Sequence, residues 1–456
     1  MRVSPIFTTA LTADKITPKV ATEFIARHHK YNLPRLRKLH DYYIGEHEIL
    51  KRSKDKGLSN NRIVVNRCKY IADFTSSYMA GEPIKYTSKN DITPITDRLK
   101  KMKAPVQDSD LALDCGIYGT AFEMVYMSSD KKPSPKLAKL CPEETFVVYD
   151  NTVEQKPVFG VHYYAVTDNN GNVTGYEAIL ETAYFRQHFY LNSMLAFVSA
   201  EKPEEHFFGD VPIIEYYNDG ERQGDFEQCI SINDGYNTLQ SDRLNDKEQF
   251  VDAILLIKGA VLGDDENEEQ ETYKGIKEDG ILMLPEGSDA SFLTRQFDET
   301  AIDLQCKSYA ENMSLVSCVP DMTDENFSGN ASGVALKHKL LALDRRVSVK
   351  ERFFEEGLRI RLNIINNINN ALGQPLVDID DIDISFSCSL PVNELENAQI
   401  VATLNGIAPR KSLYTLLPFI ADVDEAAQEM EEEESKKIQE EQKAFMNVPV
   451  NNNDEE

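Results

Sequence analysis

Three groupings of side chains have the types and spacing to do chemistry. His40, Asp41, His47 and Glu48 bring two imidazoles and two carboxylates together in sequence. The histidines are seven apart, about two helical turns, so one helix face could offer both to a divalent cation. Two ordinary histidines on a basic amphipathic helix would be spaced the same way. His338, Arg345, Arg352 and Arg359 recur every seven residues, with Glu356 between them. At nearly two turns per step they make one basic ridge, suited to water, to an acidic neighbouring surface or to a phosphate backbone. Asp264, Asp265, Glu266, Glu268, Glu269 and Glu271 crowd six acids into eight positions, the composition of a solvated loop.

Signatures of an enzyme are missing. The chain has no GxxxxGK[ST] phosphate loop, no GxGxxG after a strand and no HExxH. In Gly329-Asn330-Ala331-Ser332-Gly333 the serine stands one place too late for a nucleophile elbow. Carboxylate pairs are so common in this acidic chain that none singles out an acid–base couple. Cysteines at 68, 115, 141, 229, 306, 318 and 388 form no CxxC pair and read as reduced thiols. The expectation is a protein without catalysis, cofactor or metal of its own.

The basic ridge must ride on a helix, and the pattern supplies a long one. Leu336, Leu340, Leu343, Val347, Phe354, Leu358, Ile365, Ile368 and Leu372 form an apolar stripe opposite the ridge, and Gly373 and Pro375 end it. At 1.5 Å per residue this helix, from about 332 to 372, runs roughly 60 Å and acts as a strut. Before it, Ile302, Cys306, Tyr309, Met313 and Val316 step by 4, 3, 4 and 3, an amphipathic helix that stops at Pro320. Between the two lies a polar loop, 321–332, longer than a helical bundle needs.

Upstream, Thr17-Pro18 opens a helical segment to about 50 that Pro34 splits. Asn66 caps a helix carrying Ile71, Phe74 and Tyr78 and ending at Gly81. Residues 145–149, 158–166, 173–180 and 212–217 are rich in β-formers, with turn chemistry in Asp168-Asn169-Asn170-Gly171-Asn172, and predict an antiparallel sheet. Residues 225–250 return to helix, with Gly235 a weak point, and 253–258 is extended. Ile382 to Leu390 alternates strictly and predicts a half-buried strand. Asn393 with Glu396 opens a further helix, Ser412 caps another with Leu413, Leu416, Leu417 and Ile420 inward, and 422–445 reads as acidic helix.

Composition narrows the partners. The 456 residues carry 49 basic and 76 acidic side chains, a net charge of −27. Tight wrapping of nucleic acid is thereby disfavoured, whereas a surface that nucleic acid slides past is compatible. The charge is polarised: residues 1–70 hold 15 Lys/Arg against 6 Asp/Glu, and residues 422–456 hold 13 Asp/Glu against 3 Lys. No apolar run approaches 18 residues, and the first residues do not resemble a secretory leader, so no membrane association is expected.

Several strings together resemble the portal proteins of tailed bacteriophages, in the siphovirus-like branch. They are Asn61-Arg62-Ile63-Val64-Val65-Asn66 with Tyr78-Met79-Ala80-Gly81-Glu82-Pro83-Ile84, then Gln240-Ser241-Asp242-Arg243-Leu244-Asn245-Asp246 with 250–259. Asn326-Phe327-Ser328-Gly329-Asn330-Ala331-Ser332-Gly333-Val334-Ala335-Leu336 follows, and then Leu404-Asn405-Gly406-Ile407 with 413–419. Their order and spacing cover nearly the whole chain.

That resemblance implies an α+β portal fold. In it 1–224, with 376–398 returning, form a wing; 225–250 and 299–319 are stem helices; 251–298 is a clip. Residues 320–332 form a tunnel loop, 333–373 a spine helix, and 399–456 a crown with an acidic tail. It implies a closed ring, typically of twelve copies, at one capsid vertex, through which double-stranded DNA is packaged and ejected. Its partners would be the terminase large subunit, head-completion or connector proteins, and the major capsid and scaffolding proteins. Assembly would take place in the host bacterial cytoplasm. Asn326, Phe327, Ser328, Gly329, Asn330 and Lys337 would face DNA, Asp264, Asp265, Glu266, Glu268 and Glu269 would lie on the docking clip, and the ridge would meet a neighbouring subunit or DNA. Two alternatives stay open: a head-morphogenesis protein that binds only protein, and a metal-dependent nuclease.

Overall fold

The computed structural model describes residues 6–55, 59–131, 133–251, 254–258, 287–293, 299–322, 333–387 and 394–414, with a few isolated positions besides. In chain order the elements are β1 (Phe7–Thr9), α1 (Pro18–Tyr31), α2 (Leu33–Ile44), α3 (Arg67–Ala80), β2 (Lys85–Thr87), α4 (Thr93–Lys101) and α5 (Ala104–Tyr118). Then come β3 (Thr120–Met127), β4 (Pro135–Leu140), β5 (Thr145–Asp150), β6 (Pro157–Thr167), β7 (Val173–Thr182), β8 (Phe185–Asn192), β9 (Phe197–Ala200), β10 (Glu204–Glu205) and β11 (Ile213–Tyr217). They are followed by α6 (Ile230–Val251), β12 (Ile254–Lys258), β13 (Asp289–Leu293), α7 (Glu299–Ser317), α8 (Gly333–Ala371), β14 (Asp383–Ser385), α9 (Glu394–Leu404) and α10 (Arg410–Tyr414). The architecture is mixed α+β.

The chain divides into two units. The larger holds Met1–Met322 and Leu340–Ser389. Its main sheet runs β1-β5-β6-β7-β8-β10, with β9 also on β8, and a second sheet runs β11-β3-β4. Every pairing is antiparallel except β1 with β5, where Phe7 lies opposite Val148. Alternation along β5 joins the two sheets. Phe146 and Val148 enter a core with Phe24, Ile25, Phe159 and Val161, while Val147 between them packs with Phe122 and Ile213. One side of α1, made by Ala21, Phe24, Ile25 and His28, covers the first core at helical spacing.

Helix starts follow the capping chemistry. The Thr17 hydroxyl accepts the Val20 N–H at 3.4 Å and Asn66 accepts the Lys69 N–H at 2.9 Å. The break near Pro34 falls at Asn32, so Pro34 sits in the first turn of α2, where its missing N–H costs nothing. Gly235 is no weak point. Helix α6 runs through it without a break, and the Tyr309 ring of α7 packs over this position. On α7, Cys306 and Met313 are buried, but the inward position of the last turn is Ser317, and Val316 is 37% exposed.

Of the alternation from Ile382 to Leu390, three residues form strand among the described residues, and 388–390 lie outside them. Ile382 is buried and Ile384 half-buried, but β14 pairs with β2, itself three residues long, so the ladder ends at Ser385. The smaller unit holds Thr323–Lys339 and Leu390–Glu456. In it α9 turns through Asn405–Ala408 into α10, where Leu413 is buried. Ser412 lies within α10, whose first turn is closed by the Leu413 N–H on the Pro409 carbonyl, so it is not the cap. Asn393, Leu416, Ile420 and nearly all of 422–445 lie outside the described residues. Among the described residues no helix is long and apolar enough to cross a membrane.

Candidate functional site

The long helix α8 is the element on which the candidate residues converge, and its buried side explains how it is held. Leu340, Leu343, Val347, Phe354, Leu358 and Ile365 face inward as their spacing predicts, whereas Leu372 is half exposed. The same side also buries two cations. Arg361 is fully buried, and its guanidinium donates to both carboxylate oxygens of Glu123, at 2.7 and 3.0 Å, and to Asp108 at 2.6 Å. Tyr216 donates to the same Glu123 at 2.9 Å, and its ring lies under the guanidinium. Burial pushes the Asp108 and Glu123 carboxyls up, and the Arg361 charge opposes this. One turn earlier, a side chain on Gly357 would meet the Tyr216 ring at 2.5 Å, so only glycine lets α8 lie this close to β11.

A second clamp holds the front of the helix. Lys350 donates to Asp225 at 2.6 Å, with both side chains buried, and Arg346 donates to the Ser317 carbonyl at 2.8 Å and the Asp225 carbonyl at 3.2 Å. Asp225 lies just ahead of α6 and Ser317 ends α7. Two cations one turn apart on α8 therefore fix the junction of three helices.

Helix α6 is held by a ladder of side chains. Asn233, Asn237, Ser241 and Asn245 recur every four residues and are buried. Their side-chain oxygens accept the backbone N–H groups of Arg67, Val65, Ile63 and Asn61, at 3.2, 2.9, 2.9 and 2.6 Å. Four helical residues rise about 6 Å and two extended residues about 6.7 Å, so a period of four on a helix matches a period of two on a strand. The extended segment thus pairs its donors with a helix instead of a sheet. The His47 ring closes the network, with Nδ1 accepting from Asn237 at 2.9 Å and Nε2 donating to the Tyr42 carbonyl at 3.1 Å. Burial pushes the His47 imidazole down, consistent with that neutral tautomer.

The expected site residues divide accordingly. Arg345 and Arg352 are exposed on α8 and carry no ion pair among the described residues. Arg359 is half-buried and binds Glu355, one turn back on α8, at 2.6 Å. Glu356 stands between Arg352 and Arg359 on α8, and its carboxylate accepts from the Tyr217 hydroxyl. His40 and His47 do not share a helix face. Helix α2 ends at Ile44, and while His40 stacks on Tyr118, His47 is buried in the ladder network. Lys337 and His338 lie in α8, but their side chains are not among those described. Asn326, Phe327, Ser328, Gly329 and Asn330, and likewise Asp264, Asp265, Glu266, Glu268 and Glu269, lie outside the described residues.

Sequence reading missed Lys350, Arg361 and the partners Asp108, Glu123 and Asp225. The signal was there: both cations fall on the angular sector of Leu343, Val347 and Leu358, where a charge needs a buried partner. Nor did it see that two of the strings it singled out, Asn61–Asn66 and Gln240–Asp246, are halves of one interaction.

Comparison with known proteins bears on the whole chain. Residues 22–440 match the family model described as phage portal protein, SPP1 Gp6-like. The chain is 25% identical over 434 residues to the portal protein of Clostridium phage phiCD119, covering 87% of this chain and 92% of that one. It is 20% identical over 422 residues to the portal protein of Bacillus phage SPP1, covering 86% and 82%. A chain from the neck of an empty GTA particle, computed with C6 symmetry, aligns at 14% identity and a TM-score of 0.42, over 77% of this chain and 90% of that one.

Proposed function

The chain belongs to the SPP1 Gp6-like family of phage portal proteins, and from that premise we propose that it forms a closed ring of twelve copies at one capsid vertex, the channel for double-stranded DNA during packaging and ejection. The family match over residues 22–440 carries this reading. Physical arithmetic supports it. Twelve helices about 10 Å wide, side by side, close a circle with a bore of about 28 Å, wide enough for a B-form duplex. Contacts between neighbours in such a ring are heterologous and closed. A channel that must release DNA should neutralise few phosphates, because each contact adds affinity and drag, and the net charge of −27 suits that need.

In this reading 1–224 with 376–398 form the wing, 225–250 and 299–319 the stem, 251–298 the clip, 320–332 the tunnel loop, 333–373 the spine and 399–456 the crown. Asn326, Phe327, Ser328, Gly329, Asn330 and Lys337 line the constriction, and Arg345 and Arg352 meet the adjacent subunit or passing DNA. Asp264, Asp265, Glu266, Glu268 and Glu269 mark the clip on which the terminase large subunit and then the head-completion proteins dock. Capsid and scaffolding proteins bind the outer parts, and assembly precedes packaging in the host cytoplasm. The protein performs no catalysis; ATP hydrolysis belongs to the motor. Replacing 326–330 by a short flexible linker tests the central residues: rings should form normally while packaged DNA falls or leaks. Normal packaging and retention in that variant would refute the assignment.

A further inference from the structure

An exposed phenylalanine stands on a fixed turn beside an apolar cavity, at the C-terminal end of α8. Phe207 is 78% exposed, yet the backbone on both sides of it is held. The His206 N–H donates to the Tyr184 carbonyl at 2.9 Å, and the Phe208 carbonyl accepts from Asn367 of α8 at 2.8 Å. The His206 and Phe208 rings stack at 4.5 Å, and Phe208 is buried. Phe207 is thus kept in water by neighbours that cannot follow it out or let it turn in. The backbone that carries it thus has little ordering entropy left to lose on binding, and exposed aromatic side chains of this kind dominate interfaces. Next to it opens a cavity of about 400 Å³ whose apolar walls include Met127, Ile368, Leu372 and Phe208. Leu372 and Tyr184 are 51% and 65% exposed, which extends the apolar patch beyond what one surface side chain leaves by chance.

The charge at its edge is one-sided. Arg186 is spent on Glu181, which is fully buried and also lies 3.6 Å from His206. Glu204 and Glu205, which line the cavity, are exposed and have no ion pair among the described residues. The C-terminus of α8 adds partial negative charge at the same end.

We propose that this face docks a basic amphipathic helix of another protein of the particle. Its apolar side would fill the cavity against Phe207, and its lysines or arginines would meet Glu204 and Glu205. The proposal goes beyond the ring reading and holds for a lone subunit as for a ring, so either can fail without the other.

The test uses the full chain and a fluorescein-labelled 14-residue leucine/lysine amphipathic helix, with its leucine/glutamate counterpart, read by fluorescence anisotropy. Phe207→Ala should weaken the leucine/lysine peptide about tenfold, and Phe207→Leu should retain binding within about threefold. Glu204→Gln with Glu205→Gln should weaken it, while Asp130→Asn with Glu221→Gln, equal in charge removed but elsewhere, should not. The leucine/glutamate peptide should not bind. Equal binding by wild type and Phe207→Ala, or equal loss with the distant pair, would overturn the proposal. So would a Phe207→Ala chain that binds the peptide normally but loses self-association, which would make a second copy the occupant.

Discussion

Replacing Arg361 by Met should cost about 3–5 kcal/mol at pH 7, because it leaves Glu123 and Asp108 buried without their counter-charge. The magnitude comes from geometry. Three charge-assisted hydrogen bonds, at 2.6, 2.7 and 3.0 Å, join side chains that are almost wholly inaccessible. Methionine fills much of the volume and returns none of the charge, leaving Glu123 only the Tyr216 hydroxyl. At about 2 °C per kcal/mol the thermal midpoint should fall by roughly 6–10 °C. The variant also carries its own signature in pH. The orphaned carboxylates can escape by taking protons, so the deficit should shrink on acidification by up to about 1.4 kcal/mol per pH unit for each group. Adding Glu123→Gln and Asp108→Asn to Arg361→Met should recover most of the loss, since a cluster removed whole leaves no unpaired charge. Thermal scans of wild type, Arg361→Met and the triple variant at pH 5, 6, 7 and 8 decide the matter. A loss below about 1 kcal/mol, or one that ignores pH, would refute the view that this buried cluster clamps α8 to β3 and β11.

Three further outcomes follow from buried polar groups. Burial pushes the His28 imidazole down to about 3, and Tyr163 binds its Nδ1 at 2.9 Å. The native state therefore holds this proton less readily than the unfolded chain, so His28's share of stability is whole above pH 6.5 and drains as pH falls toward 3. Against wild type, His28→Phe should flatten the thermal midpoint between pH 6.5 and 4, and an unchanged slope would contradict this. Burial pushes the Asp114 carboxyl up to about 6, against the opposing charge of Lys139 at 3.1 Å. Here the folded value is raised, so stability is lost as pH rises from about 4 to 6. Asp114→Asn should therefore gain up to about 3 kcal/mol at pH 8 and nothing at pH 3.5. Asn237→Ala strands the half-buried Val65 N–H and empties one side of His47. It should cost about 2–4 kcal/mol, measured as a lowered midpoint and as faster hydrogen exchange at Ile63, Val65 and Arg67.

Local chemistry was legible where one segment carries the whole signal. The Thr17 and Asn66 caps, the 39-residue α8, and β5, β6, β7 and β11 all stand close to where their residues place them. Errors arose where the deciding partner lies far along the chain. Among the described residues the strand after Ile382 is short because β2, some three hundred residues back, has only three residues to pair. The parallel pairing of β1 with β5 spans more than a hundred residues and leaves no local trace. His40 and His47 seemed aligned only until Gly45, in the left-handed region, ended α2 between them. The exposed ridge drew attention because arginine repeats are easy to see. The buried cations carry the larger energies, and they are read only by asking which face of α8 each charge occupies. Belonging to the portal family was the more legible part, since its strings are spread over the chain, and two of them meet in the ladder between 61–67 and α6.

The proposed function stands on a closed ring around an open axis. Native mass measurement of the purified chain, with class averages from electron microscopy of the same sample, tests it most directly. Twelve copies of the 51.7 kDa chain predict a particle of about 620 kDa with a central opening near 28 Å. A species that stays monomeric under every assembling condition, an open filament, or an oligomer with a filled axis would contradict it.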